Sequence, residues 1–138
     1  MRFDQFIQSF GMELQELFWQ DFPGRTLEKQ IEHLEEAIEE LTVMSVQQKT
    51  RIDRLKKKIA DDEQQSAWLT QRVEVYLNIN DRPNAWQHAL QLDQMRQTSA
   101  ADRSELQRRQ RAYSDQVLQI RRLHQRRARL RDKFVGLQ

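Results

Sequence analysis

Between Leu27 and Tyr76, core-type positions recur along the chain in alternating strides of four and three, and fifteen residues fall on that line. They are Leu27, Ile31, Leu34, Ile38, Leu41, Ser45, Gln48, Ile52, Leu55, Ile59, Asp62, Ser66, Leu69, Val73 and Tyr76. Eleven are apolar, and neither Gly nor Pro interrupts the run. Such a line predicts a long helix that must cover one stripe with another helix. The run Asn78-Ile79-Asn80-Asp81-Arg82-Pro83 stops it, because Asn and Asp turn the chain and Pro suits the first turn of a new helix.

A second helix is expected from there to about Phe134. Its seam reads Ala85, Ala89, Leu92, Arg96, Ser99, Arg103, Leu106, Gln110, Tyr113, Val117 and Ile120. After one short step it continues through Leu123, Arg127, Leu130, Phe134 and Leu137, which predicts a stammer-like irregularity. Two helices of nearly equal length around one short turn predict an antiparallel hairpin, each arm about 75–80 Å long at 1.5 Å per residue.

Upstream, Phe3, Phe6, Ile7, Phe10, Leu14, Leu17 and Phe18 recur at helical spacing, and Asp21-Phe22-Pro23-Gly24 then breaks the pattern. Thr26 is the expected N-cap of the long helix. The fold class is therefore all-α: a short amphipathic helix within residues 1–22, then an antiparallel coiled-coil hairpin over residues 23–138, with helices at about 26–78 and 83–135.

The composition fits a rod. Among 138 residues, 32 % are charged, 3 are Gly, 2 are Pro and none is Cys. That leaves a thin seam rather than a thick core, with no disulfide framework or thiolate metal site. No secretory leader or membrane span is expected in the first twenty residues, which carry Arg2, Asp4, Glu13 and Glu16.

The net charge of +2 conceals an asymmetry: residues 1–26 carry −2, residues 27–80 carry −3 and residues 81–138 carry +7. With the turn near Asn80, residue i lies opposite about 161 − i. Glu28, Glu32, Glu35, Glu36, Glu39 and Glu40 then face Arg121, Arg122, Arg126, Arg127, Arg129, Arg131 and Lys133. Exposed pairs contribute only about 0–1 kcal/mol each. They select the antiparallel register, because a parallel self-pairing would stack like charges.

At mid-rod the same register gathers Lys49, Arg51, Arg54, Lys56, Lys57 and Lys58 opposite Arg103, Arg108, Arg109 and Arg111. This reads either as a solvated surface or as a basic girdle able to meet phosphate or an acidic partner. Lys56, Lys57, Lys58, Arg108, Arg109 and Arg111 are its candidate patch.

Catalysis is not expected. His33, His88 and His124 have no metal-ligand spacing, no Gly-rich phosphate loop or nucleophile elbow is present, and the carboxylates lie on helix faces. No cofactor or metal is implied. Near the turn, Trp68, Tyr76 and Trp86 are expected to pack the closed end, an exposed partner-binding tip being the alternative. The N-terminal stripe needs cover, since each fully buried large apolar side chain is worth about 1.5–3 kcal/mol. Its polar face holds Asp4, Glu13 and Glu16 against Arg2, which favours protein contact over membrane contact without excluding either.

The break and helix start, DFPGRTLEKQIEHLEEAIEEL, and the turn region, Trp68 followed by RVEVYLNINDRPNAWQHALQL, resemble the phage-shock protein A (PspA) family. These are bacterial relatives of the ESCRT-III membrane-remodelling proteins. Arg82 and Ala89-Leu90 match the family's pattern in that segment, whereas Pro83 and Asn84 stand where the family usually has acidic residues. The resemblance spans about residues 1–135. It implies an N-terminal helix and hairpin that bind membrane or a protein partner, including a transcriptional activator ATPase, and that contribute to assembly.

The resulting expectation is a non-enzymatic, PspA-like cytoplasmic protein of envelope-stress response or membrane maintenance, a homo-oligomer peripheral to the inner membrane. Contact with membrane or partner would run through Phe3, Phe6, Ile7, Phe10, Leu14 and Phe18. Nucleic acid is not an expected partner. The alternative is a secretion or flagellar export accessory hairpin that binds an export ATPase.

Overall fold

The computed structural model describes residues 26–137, and the helix expected within residues 1–22 lies outside them. Two helices, α1 (Leu27–Asn78) and α2 (Arg82–Leu137), pack against each other as an all-α antiparallel hairpin. With 52 and 56 residues, the arms extend roughly 80 Å.

The ends of α1 follow local chemistry. Thr26 is the N-cap, in extended conformation, and its hydroxyl oxygen accepts a 3.4 Å hydrogen bond from the Lys29 N–H. At the far end the Ile79 N–H donates to Val75 O at 3.2 Å and the Asp81 N–H to Tyr76 O at 2.8 Å, tying off the last carbonyls. Asn80 has φ 58°, the left-handed conformation that Asn tolerates better than most residues. Asp81 then caps α2: its Oδ1 accepts from the Asn84 N–H at 3.3 Å and its Oδ2 from Asn84 Nδ2 at 2.6 Å. Pro83 follows inside the first turn, where its missing N–H leaves no helical bond unmade.

All fifteen positions of the α1 line are buried or half-buried. The best-packed stretch lies toward the open end, where Leu34, Ala37, Ile38 and Leu41 meet Leu123 and Leu130, flanked by Leu27, Ile31 and Ile120. Leu69, Ala85 and Leu92 are buried nearer the turn. Cross-helix contacts fix the register. Lys58 with Asp102, Lys49 with Tyr113 and Tyr76 with His88 have residue numbers summing to 160, 162 and 164, against the 161 expected.

The seam of α2 differs from the expected one. Its line runs Ala85, His88, Leu92, Met95, Ser99, Asp102, Leu106, Arg109, Tyr113, Gln116, Ile120, Leu123, Arg127, Leu130 and Phe134, all buried or half-buried, with Ala89, Glu105, Ala112, Gln119 and Arg126 half-buried beside it. This line keeps strides of four and three throughout, so the stammer does not exist. Arg96, Arg103 and Gln110 are exposed, and Val117 is 37 % exposed, whereas its neighbour Gln116 is fully buried. The cause is geometric. Met95, Leu123 and Leu130 lie on one line of seven-residue repeats, and keeping that line unbroken places polar Asp102, Arg109 and Gln116 inside.

Neither Oε1 nor Nε2 of Gln116 has a hydrogen-bond partner. A buried amide left unpaired costs about 1–3 kcal/mol. Gln116→Met should therefore stabilise the hairpin by about that amount in urea unfolding, while Val117→Ala should shift it by less than about 1 kcal/mol. A marked loss from Val117→Ala with no gain from Gln116→Met would restore the slipped seam.

Candidate functional site

The structure separates the mid-rod bases into paired and unpaired sets. Lys58 donates to Asp102 and lies 3.6 Å from Asp62. Arg109 is half-buried; its Nε donates to Glu105 at 2.9 Å and its Nη1 to Gln48 at 3.0 Å across the seam. Arg103 pairs with Glu63, and Lys49 lies 3.7 Å from Asp53 and 5.9 Å from the centre of the Tyr113 ring. Lys56, Lys57, Arg108 and Arg111 are exposed. The expected patch is therefore not one surface. Arg109 belongs to the seam and Lys58 is engaged by two carboxylates.

Two cross-helix salt bridges show how the remaining charges are distributed. Glu63 with Arg103 and Glu35 with Arg131 lie along one edge of the hairpin. Residues seven apart share a line along a helix of this kind. That edge therefore carries Glu28, Glu35, Lys49, Lys56 and Glu63 from α1 beside Arg103 and Arg131 from α2. The lines flanking the seam on the opposite side make the second edge. It carries Arg51 and Lys58, with Arg54 just outside them, beside Arg126 and Lys133, with Arg108, Arg122 and Arg129 outside those.

The closed end departs from expectation too. Tyr76 packs there, its ring 5.0 Å from that of His88. The tryptophans do not fill the tip: Trp86 is 66 % exposed and Trp68 45 %, the latter lying tilted against His88 and under the Arg72 guanidinium at 5.2 Å. Leu77, Ile79 and Leu90 are also more than half exposed. Two helices meeting at a three-residue turn enclose too little volume to cover indoles projecting sideways. Periodicity alone does not show this, because it counts residues on a face and not the volume behind them.

The histidines are engaged locally. His88 Nδ1 lies 2.8 Å from Asn84 O, His124 Nδ1 lies 2.9 Å from Arg127 Nη2, and His33 lies 4.0 Å from Glu36. Among the described residues, no group of three or more His, Cys, Asp or Glu side chains could hold a metal ion, and no helix is long and apolar enough to cross a membrane. The clefts along the hairpin are open grooves, one lined by Glu63, Ser66, Arg96, Ser99 and Arg103. The expected contact residues Phe3, Phe6, Ile7, Phe10, Leu14 and Phe18 lie outside the described residues. No family model, no curated protein and no solved structure matches the chain.

The hydrogen bond to Asp102 raises the Lys58 pKa above the ordinary 10.5; lost hydration opposes this, and the charges of Asp102 and Asp62 add to it. A raised lysine contributes stability that is complete below the unfolded value of 10.5 and is lost as pH climbs through the folded one. In an NMR titration, Lys58 should titrate above the ordinary lysine value and move down toward it in Asp102→Asn. An unchanged titration in that variant would show that the pair is open in solution.

Proposed function

We propose that this chain is a non-enzymatic, PspA-like coiled-coil protein of envelope-stress response or membrane maintenance. It attaches to the cytoplasmic face of an anionic membrane, or to a membrane-bound partner, through the Phe-rich stripe of residues 3–18. The observation that supports this reading is the occupied seam. Every position of the α1 line from Leu27 to Tyr76 is already covered or half-covered by α2. The stripe of Phe3, Phe6, Ile7, Phe10, Leu14 and Phe18 thus has no vacant seam in the hairpin to enter. Stripes of this size require cover. A bilayer interface supplies it. Deleting residues 1–20 should abolish flotation of the protein with anionic vesicles while leaving helicity by circular dichroism intact. Undiminished flotation after the deletion would remove the stripe from the attachment.

The exposed apex favours a second reading, an export accessory hairpin that offers Trp86, Leu77 and Ile79 to an export ATPase. In a pull-down with such an ATPase, that reading expects capture by the intact chain and at least about a tenfold loss for Trp86→Ala, as for an aromatic anchor residue. No capture by the intact chain would end it.

A further inference from the structure

Pairing divides the charge of the rod unequally between its two edges. Over residues 28–63 and 100–133, the edge closed by Glu35–Arg131 and Glu63–Arg103 carries five bases and six acids. Over the same residues the second edge carries eight bases, against the four acids Glu40, Asp61, Glu105 and Asp115. Glu105 is already engaged by Arg109. Arg51, Arg54, Arg108, Arg122 and Arg129 are exposed and form no ion pair among the described residues. Ala37 and Ala112 lie between them, with Met44, Gln47 and Gln119 on the same lines.

The basic line also stops at mid-rod. Toward the apex the same edge carries Gln65, Trp68, Val75, Gln87, Gln91 and Gln94, with Arg72 as its base. The charged half is the one that begins at Thr26, where residues 1–25 join the hairpin.

We propose that this second edge is the face on which the hairpin lies along an anionic bilayer. Arg54, Arg108, Arg122 and Arg129 contact lipid headgroup phosphates. The inference rests on the membrane reading above and adds the orientation and the residues. Arg108, Arg122 and Arg129 stand at multiples of seven residues on one straight helix, so their span of roughly 30 Å presents charge as a line to a plane. Guanidinium groups pair with phosphate oxygens by paired hydrogen bonds. Each base near an anionic surface is worth about fivefold in partitioning. A bilayer fits better than a nucleic acid. The basic half of the edge carries no Phe, Tyr or Trp on which bases could stack.

The test uses the full chain and phosphatidylcholine vesicles containing phosphatidylglycerol, at low and high salt. One variant carries Arg54→Gln, Arg108→Gln, Arg122→Gln and Arg129→Gln. A control of equal charge change carries Lys56→Gln, Lys57→Gln, Arg111→Gln and Arg121→Gln on the other faces. Circular dichroism confirms that both are folded. The edge variant should lose at least about tenfold in partitioning and most of its salt dependence, with the control within about twofold of the parent. Equal losses in the two variants, or no loss in either, overturn the proposal. Tighter binding of the parent to duplex or single-stranded DNA than to vesicles in the same buffer also overturns it. Binding that vanishes on deleting residues 1–20 but survives in the edge variant leaves the stripe in place and removes the edge. The reverse pattern removes the stripe and supports the edge. No binding of the intact chain to these vesicles overturns both.

Discussion

A helix of 52 residues with a single apolar stripe persists in water only if that stripe is covered. Here the cover is the second half of the same chain, brought back by a turn of three residues between Asn78 and Arg82. Everything else about the molecule is downstream of this pairing. It sets which side chains form the seam, which charges are neutralised across it, and which remain on either edge. The turn is local chemistry, with Asn80 in the left-handed region and Asp81 capping the next helix. The register along the remaining length is set by packing.

The seam is not uniformly apolar, and its polar stretch has a consistent position. Ser45, Gln48 and Gln116 are buried at mid-rod, and Gln48 accepts a hydrogen bond from the half-buried Arg109. In the observed register Gln116 falls near the level of Ser45. A slip of one heptad would carry it toward Ile38 or Ile52, putting an amide against a buried isoleucine. The polar layer thus lowers the stability of the correct pairing less than it would lower that of its nearest competitors. This is the same logic by which one buried polar residue fixes register in a coiled coil. The orphaned amide of Gln116 measures how far that layer departs from the most stable core.

How much of this was legible in the sequence depends on whether residue type and position agree. The α1 line was readable because eleven of its fifteen members are apolar. The turn was readable from Asn, Asp and Pro in a short run. The α2 line was readable only in part. Periodicity seeks apolar residues, so it chose Val117 over Gln116 and passed over Asp102 and Arg109, and a stammer was then needed to reach Leu123. The mid-rod bases were visible as a group, but their division was not. Whether Lys58 and Arg103 are neutralised depends on Asp102 and Glu63, residues 44 and 40 positions away, through a register the sequence alone fixes only to within a few residues. The exposure of Trp86 was likewise invisible, since a helical line says nothing of how much volume lies behind a turn.

The division of charge between the edges follows from antiparallel symmetry. In an antiparallel pair, equivalent flanking lines of the two helices meet on the same edge. The acidic start of α1 and the basic end of α2 lie at the same level of the rod, yet only one flanking line of each is rich in the opposing sign. Glu28 and Glu35 share a line, and Arg131 stands beside it, so charge cancels there. Gln30 and Ala37 occupy the other flanking line of α1, so that line brings no carboxylate to the open end of the second edge. Exposed ion pairs add little to stability whichever edge they lie on. A hairpin with its counter-charges divided evenly would be about as stable and would present two similar edges. This one presents a balanced edge and a cationic one, so its long-range field has a direction across the rod as well as along it.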